Sequence, residues 1–163
     1  MPRSPIAFAL AIASLGAHAQ QSVFETKSLT PEAALIAAQA ALEHCRKTGY
    51  QVSVVIVDRS GLPQVLLRDR YAGAQTFDVA LNKAWTAVSF KIPTSVLANE
   101  TQSGKPMSGL RSLPRVLAAA GGQVIEGGGS LLGGIGVSGA PGGDADDSCA
   151  LAGIKAIRDS LEF

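Results

Sequence analysis

One histidine governs the chemistry open to this chain. His18 falls in an N-terminal leader, so His44 is the sole imidazole of the mature protein. A neutral imidazole is a good iron ligand and an acid–base group near neutral pH. His44 closes a stripe of small residues, Ala33, Ala37 and Ala40, at helical spacing. Small side chains leave room for a flat ligand. The same pattern fits a surface or interface histidine on a closely packed helix. A Ser-His-Asp site has little to draw on, with one histidine and no G-x-S-x-G motif. Asp58 and Lys83 could do acid–base work, but a turn aspartate and a helix-face lysine are their ordinary readings. Cys45 and Cys149 form no C-x-x-C pair, so a zinc or thioredoxin-like site has no support. They either bridge the first and last helices or stay as two buried thiols.

The stretch "GGGSLLGGIGVSGAPGGD" (127–144) holds nine glycines in eighteen residues and invites a phosphate-cradle reading. A Walker loop needs lysine within it, and no lysine lies between Lys105 and Lys155. A dinucleotide fingerprint needs a strand before the glycines and a helix opening within them. Here the glycines sit inside a strand. Leu131, Gly133, Ile135 and Val137 alternate with Leu132, Gly134, Gly136 and Ser138, whose face is nearly bare. A bare strand face marks the close approach of a helix or of a planar group. Asp144, Asp146 and Asp147 lack calcium-loop spacing and fit a cap and first-turn acids that complement a helix dipole.

The elements that position these residues follow from periodicity and punctuation. Residues 28–49 read as a helix with Thr30 as cap, Pro31 at its first position and Gly49 as its stop. One face carries Leu35, Ala38, Leu42 and Cys45. "YQVSVVIVD" is a strand apolar on both faces, hence central in a sheet. "DRSG" turns it into the hairpin partner "LPQVLLRDR". "TFDVALNKAWTAVSF" is a helix broken by Pro93, and "TSVLANETQ" a short helix capped by Thr94 or Ser95. A second hairpin, "GQVIEGGGSLLGGIGVSG", precedes a last helix starting near Asp144. Strands joined by short turns pair antiparallel, so the class is α+β.

Residues 1–19 have the pattern of a secretory signal peptide: Arg3, an apolar run from Ile6 to Leu15, and Ala17-His18-Ala19 as the cleavage site. Residues 20–163 then form a single domain of periplasmic or secreted setting. Removing Arg3 from 14 basic residues leaves 13 against 13 acidic, a net charge of zero. No basic stripe is available for nucleic acid, and no other run is long enough to span a membrane.

Several segments in order resemble the GlcG/HbpS-like haem-binding family, which includes the C-terminal domain of PduO-type proteins. They include "LTPEAA" (29–34), "VVIVDRSGLPQVLLRDRYAGA" (54–74), "ALNKAWTA" (80–87), "FKIPTS" (90–95), "GGIGVSGA" (133–140) and "DDSCALAGIKAI" (146–157). The resemblance implies a profilin-like antiparallel sheet flanked by helices and a homo-oligomer. It implies haem binding, with a corrinoid as the alternative ligand, in haem or iron sensing, storage or protection rather than established catalysis. It carries two haem-contacting positions to this chain: His44, five residues before Gly49, and Thr94, directly after Pro93. Tyr71 could serve as a phenolate ligand, and Arg70 and Arg68 could pair with propionates. Their ordinary readings are loop packing and a solvated hairpin face. The chain has Arg70-Tyr71-Ala72-Gly73-Ala74 where the family often has R-M-D-G-A, so an acid is missing. It also has Val124 where a proline is common. The competing readings are an oligomeric accessory protein and a small-molecule enzyme, neither binding a tetrapyrrole.

Overall fold

The computed structural model describes residues 22–162; the leader expected over residues 1–19 lies outside them. Helix α1 (Pro31–Lys47) starts as its sequence dictates, with Thr30 Oγ1 accepting the Ala33 amide at 3.2 Å. Strands β1 (Ser53–Asp58) and β2 (Pro63–Arg68) form the first hairpin. Asp58 Oδ1 closes its turn by accepting the amides of Ser60 and Leu62. Helices α2 (Thr76–Phe90) and α3 (Thr94–Glu100) follow, then strands β3 (Gly122–Gly127) and β4 (Ser130–Ser138) and helix α4 (Gly143–Ile157). Short 3-10 turns cover Ser108–Ser112 and Arg158–Leu161.

The sheet order is β2-β1-β4-β3, antiparallel throughout, so β1 is central as its two apolar faces require. Helices α1 and α4 cover one face over Val54, Ile56, Ile135 and Val137. Helix α2 covers the other over Val55 and Val57. The α+β class and the helix-flanked antiparallel sheet are as expected. Among the described residues no helix is long and apolar enough to cross a membrane.

The glycine strand resolves in favour of the protein's own helix. A Cβ on Gly136 would stand 2.7 Å from the Ala84 amide nitrogen and closer still to the Ala80 carbonyl. One on Gly134 would stand 2.6 Å from Val88 Cγ1. Backbone bareness therefore lets α2 lie directly on β4, a contact that carries no ligand. The alternation expected for β4 fails at one point. Ile125 pairs with Gly133 but Glu126 pairs with Leu131, so Leu132 is an extra residue in a bulge. Leu132 joins Ile135 and Val137 on the α1/α4 side, while Leu131 packs on the α2 side. Period two cannot survive an inserted residue.

Other expectations need correction. Leu35 is 41% exposed, and the buried face of α1 is Ala34, Ala37, Ala38, Ala41, Leu42 and Cys45. Neither Thr94 nor Ser95 caps α3; Pro93 holds the cap position without a side-chain bond. Helix α2, by contrast, spans Thr76–Phe90 as expected, with Lys91 left-handed (φ 57°) at its C-cap two residues before Pro93. Asp144 does not cap α4; Gly142 stands at the cap and Asp144 is exposed in the first turn.

Candidate functional site

His44 sits in the last turn of α1, half-buried, beside the first turns of α4. Its Nε2 lies 3.2 Å from Ser148 Oγ. The next residues on both helices, Cys45 and Cys149, form a disulfide with Cα atoms 5.6 Å apart, resolving the choice between a bridge and two thiols. Further along, a Cβ on Gly153 would stand 2.6 Å from the Ala37 carbonyl. Cys45 meets Cys149 while the earlier Ala37 meets the later Gly153, so α1 and α4 run antiparallel at close range.

The small-residue stripe before His44 is thereby divided. Ala37 is fully buried against α4 and offers no room for a flat ligand. Exposed or partly exposed along these two helices are Ala40 and Ile36, one and two turns before His44, and Leu151 and Ala152, about one turn after Ser148. Ile36 and Leu151 are 51% and 52% exposed. Exposed aliphatic side chains on the two helices that carry His44 and Ser148 thus offer an apolar platform, with Ile36 about 12 Å along α1 from the imidazole.

Two residues beyond His44, Arg46 reaches Asp69 with two bonds, Nε to Oδ2 at 2.7 Å and Nη2 to Oδ1 at 2.9 Å. The Arg70 amide donates to the same Oδ1. These bonds hold the Asp69 carboxyl below the usual carboxylate range, outweighing the opposing effect of its burial. The ion pair ties the histidine helix to the loop of Arg70 and Tyr71. Both of those side chains are exposed, Tyr71 by 81%. Arg68 Nη2 donates to the Ala72 carbonyl within that loop.

Thr94 is elsewhere. It is fully buried on the α2 side of the sheet, the side opposite His44. Its Oγ1 accepts the Gly122 amide at 2.8 Å and donates to the Gly122 carbonyl at 3.3 Å. The hydroxyl is thus committed to fastening α3 on β3. The Arg46–Asp69 pair tethers the Arg70–Tyr71 loop to the helix that carries His44, but the imidazole itself meets Ser148, and Thr94 lies on the other side of the sheet.

A second polar cluster escaped the sequence. Lys83 is no surface lysine: its side chain is 5% exposed, and its Nζ lies 2.8 Å from Asp146 Oδ2 and 2.9 Å from the Val137 carbonyl. Burial pushes the Asp146 carboxyl up despite this partner. Asp147 Oδ1 accepts from the Gly121 amide and Gln123 Nε2. The acids at the start of α4 therefore do more than complement its dipole: two of them pin it to α2 and β3. The only sequence signal was a pair of acids after a glycine loop, which names no partner. Among the described residues no three His, Cys, Asp or Glu side chains cluster as a metal site. A cavity of about 400 Å³ opens at the other end of α1, floored by Leu29, Ala33, Leu132 and Leu161. Ala33 is eleven residues from His44, about 16 Å along the helix, so the cavity is separate from the histidine.

Residues 29–155 match the family described as haem degrading protein HbpS-like. The chain belongs to this HbpS-like family. The HbpS-like chain is 40% identical to a doubly substituted HbpS of Streptomyces reticuli, covering 94% of this chain and 99% of that one with a TM-score of 0.79. It is 32% identical to PduOC, solved as a haem complex, covering 80% of this chain and 95% of that one with a TM-score of 0.76. It is 35% identical over 122 residues to the corrinoid adenosyltransferase PduO of Salmonella typhimurium, matching 74% of this chain but 36% of that protein. The chain thus spans about a third of the length of this curated relative. Family and fold both agree with what the ordered segments implied.

Proposed function

We propose that this protein binds haem, with the iron on His44 and one porphyrin face against Ile36, Ala40, Leu151 and Ala152. The observation that carries the reading is the half-buried imidazole at the edge of an apolar platform on α1 and α4. The residues fit the group: imidazole suits iron, and the aliphatic side chains suit a large apolar ring. The relative solved as a haem complex gives it independent support. Haem, when bound, would supply iron for ligand, redox or sensing chemistry. The chain's own residues position His44, exclude water over the aliphatic platform, and offer Arg70 and Tyr71 near the end of the histidine helix.

We further propose that the mature chain, from residue 20, works in the periplasm or outside the cell as a homo-oligomer. The leader pattern and the disulfide support export, because disulfides persist in oxidising compartments. Half-exposed Ile36 and Leu151 also suit a contact between copies. Haem or iron sensing, storage or protection are the roles that fit a binding protein. The corrinoid alternative draws only on the name of relatives of which this chain spans about a third. Haemin titration of the mature protein and of His44→Ala, followed in the Soret region, tests the reading. Saturable binding lost or red- or blue-shifted in the variant supports it. Identical spectra and affinities would remove His44 from the account, and no binding by either would favour the accessory-protein alternative.

A further inference from the structure

His44 is braced on two sides. Its neighbour Cys45 is bonded to Cys149, and the residue before Cys149 is Ser148, whose hydroxyl meets His44 Nε2 at 3.2 Å. The disulfide is buried, and Gly153 packs on Ala37 without room for a Cβ. Helices α1 and α4 therefore cannot part to free the imidazole. Of its two ring nitrogens, Nδ1 lies next to the ring carbon that joins Cβ and so faces its own helix. A porphyrin, broad on every side of its iron, has no approach there. Nε2 is the outward nitrogen, and it is the one in contact with Ser148 Oγ.

We propose that Ser148 is a latch on His44. Its hydroxyl engages the nitrogen that iron needs, so loading exchanges the Nε2···Oγ contact for a bond from Nε2 to iron. This inference rests on the haem reading of His44. With the backbone fixed by the disulfide, the latch opens by rotation of the Ser148 or His44 side chain alone. Ser148 is exposed, so water satisfies its hydroxyl once it has turned away. Opening therefore costs one partly hydrated hydrogen bond, at the lower end of what such bonds contribute, which corresponds to about threefold in an equilibrium. A residue that merely oriented His44 would act with the opposite sign, because its loss would weaken binding.

The test uses the oxidised mature chain as wild type, Ser148→Ala and Ser148→Thr. Carbethoxylation by diethyl pyrocarbonate, localised by mass to the His44 peptide, reports access to the imidazole with no haem present. Haemin affinity is measured in parallel. The latch predicts that Ser148→Ala is carbethoxylated about threefold faster and binds haemin about threefold more tightly, while Ser148→Thr, which keeps a hydroxyl, matches wild type in both. Unchanged or slower carbethoxylation of Ser148→Ala, or weaker haemin binding, overturns it. If His44→Ala binds haemin as well as wild type, the haem reading fails on its own, and the carbethoxylation rates still decide whether Ser148 covers Nε2.

Discussion

Replacing Gly136 by alanine puts one methyl group between β4 and α2. The new Cβ would stand 2.7 Å from the Ala84 amide nitrogen and nearer still to the Ala80 carbonyl, both backbone atoms. Ordinary contact needs about 3.5 Å or more, so α2 must rise from the sheet by roughly an ångström. Neither side can yield by changing a rotamer. A gap of that size forfeits a quarter to a half of the dispersion attraction across it. The affected interface joins Val55 and Val57 to Ala80, Ala84 and Val88, all buried. Overpacking a close-packed core costs about 1–3 kcal/mol, and backbone-to-backbone obstruction belongs at the top, about 3 kcal/mol. Gly109→Ala is the control, because nothing lies within 4 Å of its Cβ position; it should stay within about 0.5 kcal/mol of wild type. Urea unfolding of the two variants measures both. If Gly136→Ala unfolds within 0.5 kcal/mol of wild type, roughly the size of an ordinary surface effect, the bare strand does not serve helix packing and the reasoning is wrong.

Other perturbations test separate parts of the structure. The Cys45–Cys149 bond closes 104 residues, so the chain-entropy estimate for such a loop, about 4–5 kcal/mol, should be lost when urea melts are repeated with reductant. Asp146→Asn leaves the Lys83 ammonium buried beside a weak partner and should cost about 3–5 kcal/mol, while Lys83→Met with Asp146→Leu should recover most of it in a double-mutant cycle. Arg46 lowers the folded-state pKa of Asp69 below its unfolded value. The stability that Asp69 contributes is therefore present above the ordinary carboxylate range and lost as pH falls through the lowered folded value. Asp69→Asn should flatten that acid limb of the urea midpoint against pH; an unchanged limb would remove Asp69 as its source.

What the sequence showed and hid divides along chain separation. Thr30-Pro31 and Gly49 bound α1 because caps and stops act within a turn. The run Val52 to Val57 announced a central strand because both of its faces are apolar. Lys83 gave no such sign: its partner Asp146 lies 63 residues away, and helical spacing cannot tell a buried lysine paired at that range from a solvated one. The Leu132 bulge was hidden because an extra residue changes no composition. Ala37 read as part of an open stripe because only α4 reveals its burial. Thr94 stood next to a proline, where capping is the local expectation, while its actual partner, Gly122, is 28 residues on. For the site itself, His44 was conspicuous by elimination, but Ser148 and the aliphatic platform depend on how α4 docks.

The central claim is that iron binds His44 on the open face of α1 and α4. A crystal structure of the oxidised mature protein grown with haemin tests it most directly. The account predicts iron on His44 Nε2, the porphyrin along Ile36, Ala40, Leu151 and Ala152, and the Ser148 hydroxyl turned away. Haem seated elsewhere, with His44 Nε2 still against Ser148, would contradict it.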